Sequence, residues 1–187
     1  MIILVIGGSK SGKSSYAQKV TKVIAEDKGK LIYLATMKAS DLEDMKRIEK
    51  HIEDREEYSF ETIEKDKDIL DILDCINNED TLLLESITSL MTNTMFTKSG
   101  IINNVSKRII NDITKLKNNL RNMVLISDYV FSDGIIYHEY TEKFREELGE
   151  INIKMAKLSD VVIECSSGNI ICHKGKEALS KINDEIY

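Results

Sequence analysis

Three groups of residues in this sequence could do chemistry. The first is Gly7-Gly8-Ser9-Lys10-Ser11-Gly12-Lys13-Ser14. Its glycines let backbone N–H groups turn inward and close on phosphate oxygens. A helix starting at Ser14 would aim its positive dipole end at the same place. Lys13 can reach the outer phosphates of a nucleotide, and the Ser14 hydroxyl can ligate Mg²⁺. The second is Glu85, an acid ending the apolar run Thr81-Leu82-Leu83-Leu84. Such an acid can hold Mg²⁺ through water, as the second metal anchor of phosphate-loop enzymes does; the alternative is that it caps the helix that follows. The third is Arg47, His51 and Arg55, spaced four apart and so stacked on one face of a helix. Two arginines flanking a histidine could hold a polyphosphate for attack by the imidazole. Spacing alone favours the plainer reading, a solvated helix with scattered charges.

These residues need elements to place them. The apolar, β-branched run Ile2-Ile3-Leu4-Val5-Ile6 predicts a buried strand before the glycine-rich turn, and Ala17, Val20, Val23 and Ile24 predict a helix after it. Strand, turn and helix in that order are the setting in which G-x-x-x-x-G-K-S binds phosphate. Leu31–Ala35 reads as a second strand closing on Thr36, and Leu42, Met45, Ile48 and Ile52 mark an amphipathic helix over 41–57. A short strand is expected over 58–63, a helix around 69–76, a strand over 81–85 and a helix over 87–96, where Met91 and Met95 read as core packing. Lys98-Ser99-Gly100 reads as a loop. A helix follows from Val105 to Leu120, then a strand over 123–127, an irregular stretch to Gly134 and a helix over 141–158. Two strands, 160–164 and 169–173, close on a turn at Ser166-Ser167-Gly168, and the residues from Gly175 on read as a polar tail. Strands alternating with helices call for an α/β fold: a mostly parallel central sheet with helices on both faces and a C-terminal strand pair. Ligands on such a sheet sit beyond the carboxyl ends of the strands, where Thr36, Glu85 and Ser127 would share an edge with the phosphate loop.

At 187 residues, with no proline and no low-complexity tract to mark a boundary, the chain reads as one domain. A net charge of -6 offers no global field for nucleic acid, so an anionic substrate must be held by local groups. The three cysteines, Cys75, Cys165 and Cys172, lack metal-binding spacing and read as small core residues in a reduced, cytoplasmic protein. No basic segment precedes the first strand, and no apolar run approaches membrane-spanning length. His138 and His173 read as surface residues, and Asn152 as an exposed helical residue or a polar contact.

Further motifs accompany the phosphate loop in a fixed order. They are Ile32-Tyr33-Leu34-Ala35-Thr36, then Met45-x-Arg47-Ile48-x-x-His51-x-x-x-Arg55, then Phe60-x-Thr62-x-Glu64, then Leu83-Leu84-Glu85-Ser86-Ile87-Thr88 with Thr92-Asn93. Phe144-Arg145-x-x-x-Gly149-x-x-Asn152, Ala156-x-x-x-Asp160-x-Val162 and Ser167-Gly168 complete the set. In this combination the chain resembles the bifunctional adenosylcobinamide kinase/adenosylcobinamide-phosphate guanylyltransferase family of cobalamin biosynthesis, over nearly its whole length. The resemblance implies a P-loop NTPase-like fold and two reactions. The adenosylcobinamide hydroxyl takes the γ-phosphate of ATP or GTP. A histidine, here His51, is then guanylylated by GTP and passes GMP to the cobinamide phosphate. It implies Mg²⁺ at Ser14 and Glu85, catalytic roles for His51 and Lys13, and a nucleotide site of Gly7 to Ser14 with Thr36, Ile52, Glu53, Asp54, Arg55, Glu64 and Glu85. It also implies a homo-oligomer, typically a trimer, with corrinoid near a subunit boundary. The chain departs from the pattern at Lys50, where histidine is frequent, at Glu56 in place of proline, and at Phe60 in place of tryptophan. After Ser127, the family's Asn-Glu-Val-Gly becomes Asp128-Tyr129-Val130-Phe131-Ser132-Asp133-Gly134, with one residue inserted. Two other readings carry less: a phosphate-loop small-molecule kinase with His51 idle, and a nucleotide-binding protein without transfer chemistry. A GTPase switch lacks support, since there is no Asn-Lys-x-Asp segment.

Overall fold

The structure, a computed structural model, describes residues 1–39, 42–55, 58–130 and 134–186; within 42–55 the described side chains are those of Leu42, Met45, Lys46, Ile48, Glu49, Ile52 and Glu53. In chain order the elements are β1 (Ile2–Gly7), α1 (Lys13–Ala25), β2 (Leu31–Ala35), α2 (Leu42–Arg55), β3 (Glu61–Glu64), a 3₁₀ helix (Ile69–Cys75), β4 (Thr81–Glu85) and α3 (Ile87–Met95). Then come the two-residue strands β5 (Phe96–Thr97) and β6 (Gly100–Ile101), α4 (Val105–Lys117), β7 (Asn122–Asp128), α5 (Glu139–Leu158), β8 (Val161–Ser166), β9 (Asn169–Lys174) and α6 (Lys176–Ile186).

Seven strands form one sheet in the order β3-β2-β4-β7-β1-β8-β9. The pairings from β3 through β8 are parallel, and β9 returns antiparallel to β8 across the turn at Ser167 and Gly168. Alternate residues of a strand face opposite sides of the sheet. Ile3 and Val5 of β1, with Leu83 of β4, pack on α1 and α6; Leu4, Leu82 and Leu84 pack on the opposite layer with α3, α4, α5 and the 3₁₀ helix. Both faces are covered, which is why these strands read as unbroken apolar runs rather than alternating ones. The α/β class, the mostly parallel sheet and the terminal strand pair expected from the sequence are all present.

Four expectations need correction. The segment from Gly175 is no polar tail. Leu179 and Ile182, three residues apart, are buried in α6 with Ala178 and Ile186 beside them, and α6 lies against α1. The stripe is narrow because one helix face suffices to cover the α1 side of β8. Tyr16 of α1 donates a hydrogen bond to Asn183 Oδ1 at 2.7 Å, which ties the two helices. Lys98 and Ser99 form the turn of a hairpin between β5 and β6, with Gly100 paired to Thr97, so the segment is not an open loop. Asn152 is half-buried, donating to the Asp128 carbonyl at 3.2 Å. Of the cysteines only Cys165 is fully buried; Cys75 is exposed and Cys172 half-buried. Residues 41, 56–57 and 131–133, part of the expected α2 segment and of the loop after β7, lie outside the described residues.

Candidate active site

Parallel strands present their carboxyl ends along one edge, and the register fixes which residues meet there. Gly7 pairs with Asp128 on one side and Cys165 on the other, while Ala35 pairs with both Glu64 and Glu85. Beyond this edge lies a cleft of about 430 Å³ whose lining includes Lys13, Ser14, Tyr33, Glu64, Glu85 and Asp128. Ile48 of α2 lines it as well. A volume of this size suits a small-molecule ligand.

The phosphate loop turns tightly between β1 and α1. Gly12 sits at the α1 N-cap with φ of 86°, in the left-handed region that glycine adopts without strain. A Cβ on Gly7 would lie 2.6 Å from the Cys165 carbonyl oxygen and 2.6 Å from Ser11 Oγ, so only glycine fits there. Lys13 curls back over the loop and donates to the Gly8 carbonyl at 3.2 Å. Its ammonium also pairs with Asp128 Oδ1 at 2.7 Å. Ser14 Oγ donates to Glu85 Oε1, and the Tyr33 hydroxyl donates to Glu85 Oε2 at 2.7 Å. Glu85 does not cap the next helix; Ser86 does, its hydroxyl accepting from Ser89 N at 3.2 Å.

Thr36 is fully buried, and its hydroxyl donates to the Ser86 carbonyl and accepts from Ser86 N, both at 2.8 Å. Asn93 donates to the Thr36 carbonyl at 2.8 Å and to the Asp66 carbonyl at 3.1 Å. These bonds lock the ends of β2 and β4 together as the floor of the cleft. Glu64 stands exposed on its rim, at the end of β3. Ile52 and Glu53 are exposed on α2. The side chains of Arg47, His51, Asp54 and Arg55 lie outside the described residues, although the α2 backbone runs through them. Ser127 is buried and its hydroxyl meets no partner among the described residues. Cys165 lies next to the loop, but burial pushes its thiol up to about 11, so it is no nucleophile at neutral pH.

Sequence reasoning missed Tyr33 and Asp128 as site residues. Asp128 carries the same signal that singled out Glu85, an acid directly after an apolar strand. Tyr33 gave no signal, because its hydroxyl reaches Glu85 only through the β2–β4 pairing. Ser14 and Glu85 bring two hard oxygen donors to one point beside the loop, a donor set that fits Mg²⁺. Among the described residues no group of three or more His, Cys, Asp or Glu side chains could hold a metal ion by itself.

Strand, glycine-rich loop and helix on a parallel sheet, with an acid two strands away closing on the loop's serine, define a P-loop nucleotide-binding α/β protein. Solved structures share the fold. One of them, an ATPase domain, matches with a TM-score of 0.55 at 11% identity, covering 94% of this chain and 77% of that one. The flagellar accessory protein FlaH from Methanocaldococcus jannaschii matches with a TM-score of 0.51 at 12% identity, covering 92% and 77%. At such identity these likenesses speak for the fold alone. The family is set by sequence: the cobinamide kinase/cobinamide phosphate guanyltransferase model matches residues 3–172, and the chain belongs to that family. The resemblance read from the motifs is borne out. Two curated relatives both carry the name bifunctional adenosylcobalamin biosynthesis protein CobU. The Escherichia coli protein is 35% identical over 101 residues, 54% of this chain and 53% of that protein, so this match spans about half the length of either. The Salmonella typhimurium protein is 29% identical over 181 residues, 90% of this chain and 97% of that protein. Among the described residues, no helix is long and apolar enough to cross a membrane.

Proposed function

We propose that this protein phosphorylates the hydroxyl of adenosylcobinamide with ATP or GTP, then transfers GMP from GTP through His51 to give adenosylcobinamide-GDP. Family membership supports the pair of activities. The observation that carries the mechanism is the position of α2: Ile48 lines the same cleft as Lys13 and Ser14, and His51 follows Ile48 by three residues on the same helix.

The loop amides and Lys13 grip the triphosphate, and the α1 dipole adds to the field. Ser14 and Glu85 would hold Mg²⁺, which when bound neutralises phosphate charge. In the first reaction the substrate oxygen bonds to the γ-phosphorus and the β–γ bridge breaks, its electron pair leaving with the diphosphate. In the second, a nitrogen of neutral His51 bonds to the α-phosphorus and pyrophosphate leaves. The cobinamide phosphate then displaces the imidazole, restoring His51. A covalent intermediate replaces one difficult displacement by two easier ones. Thr36, Glu64, Ile52, Glu53, Asp54 and Arg55 would frame the nucleotide, Thr36 through the floor it locks rather than through its own hydroxyl. We further propose a homo-oligomer, with a trimer as the expected form.

Incubation with adenosylcobinamide, GTP and Mg²⁺, with the corrinoid weighed by mass spectrometry, tests this reading. A phosphate ester followed by a GMP-bearing product is expected. Corrinoid recovered unchanged contradicts it.

A further inference from the structure

β7 lies between the strand that launches the phosphate loop and the strand that ends at Glu85. Its last residue, Asp128, therefore stands beside Gly7 and between the two halves of the site. The carboxylate lines the cleft and pairs with Lys13 Nζ at 2.7 Å, the two side chains being 18% and 8% exposed. Its backbone is held from two sides. The Asp128 amide donates to Thr88 Oγ1 of α3 at 3.0 Å, and Asn152 of α5 donates to its carbonyl at 3.2 Å. An ammonium has three donors, so Lys13 can keep Asp128 while taking a phosphate oxygen. A rigidly placed carboxylate then lies one ammonium away from the outer phosphate, where an attacking hydroxyl must arrive.

We propose that Asp128 is the general base of the kinase reaction; this rests on the kinase half of the function proposed above. Asp128 accepts a hydrogen bond from the acceptor hydroxyl and orients it. As the hydroxyl oxygen bonds to the γ-phosphorus, the β–γ bridge breaks with its electron pair on the departing diphosphate. The hydroxyl proton passes to the Asp128 carboxylate, which later releases it to water. Carboxylates serve this way in protein kinases.

The test is steady-state phosphorylation of adenosylcobinamide by GTP and Mg²⁺ for the wild type, Asp128→Asn and Asp128→Glu. Asp128→Asn should lower kcat by about 10²–10⁴-fold with a far smaller change in the KM for GTP. Asp128→Glu, which restores a carboxylate, should recover part of the rate; a kcat for Asp128→Glu no higher than that of Asp128→Asn overturns the proposal. An Asp128→Asn kcat close to the wild type's overturns it as well and leaves the kinase reading standing. A wild type that phosphorylates no corrinoid overturns the kinase reading and the base with it.

Discussion

Ser14 at the start of α1 and Glu85 at the end of β4 share a hydrogen bond although 71 positions separate them in the chain. Tyr33 holds the other carboxylate oxygen at 2.7 Å, so Glu85 is fixed in both position and rotation. In the proposed mechanism this pair holds the nucleotide's Mg²⁺. Glu85→Gln and Ser14→Ala should each lower phosphoryl transfer by about 10²-fold or more. Both should also raise the Mg²⁺ concentration needed for half-maximal rate. Rates measured over a Mg²⁺ titration check this; an unchanged midpoint would remove Glu85 from the metal site.

Gly7 is the tightest point of the loop. A methyl group there must displace the Cys165 backbone carbonyl, 2.6 Å from the new carbon. Gly7→Ala should cost about 1–3 kcal/mol in urea unfolding through overpacking. It should also weaken nucleotide binding, because the β1–β8 pairing sets the shape of the turn.

The closing helix should matter to stability. Leu179 and Ile182 of α6 are each 5% exposed and pack on the α1 side of the sheet. Leu179→Ala should destabilise the protein by about 2–5 kcal/mol. Urea midpoints compared with an exposed control such as Lys181→Ala provide the measurement. No difference would restore the reading of this segment as a tail.

That misreading has a physical cause. An apolar run such as Thr81–Leu84 declares itself, because both of its faces are buried and no alternative pattern fits. The phosphate loop was equally plain, since its meaning depends only on neighbours in sequence. α6 spends two fully buried residues on its contact, and a short polar sequence with two such residues looks like a solvated end. The β5–β6 hairpin has only two residues per strand, too few for periodicity to register. The roles of Tyr33, Asp128 and Asn152 come from strand register and from helices packed on the sheet, relations between residues far apart in the chain. The proposal for His51 rests on the family's motif order, not on spacing.

Cys165 couples stability to alkaline pH. Burial raises its thiol to about 11, while the unfolded chain's thiols ionise near the ordinary value of about 8.5. The unfolded state therefore loses its proton first as pH rises. Stability from this group is complete below about pH 8.5 and is lost as the pH climbs through about 11. Urea unfolding of the wild type and Cys165→Ala between these limits should show the steeper decline in the wild type. A thiol reagent at pH 8 should modify exposed Cys75 and spare Cys165.

The most direct measurement is on the histidine. Protein incubated with GTP labelled at the α-phosphate and Mg²⁺, then denatured, should carry label that acid removes and base does not, the behaviour of a phosphorus–nitrogen bond to imidazole. His51→Ala should carry none. Equal label on His51→Ala, or none on the wild type, would contradict transfer through His51.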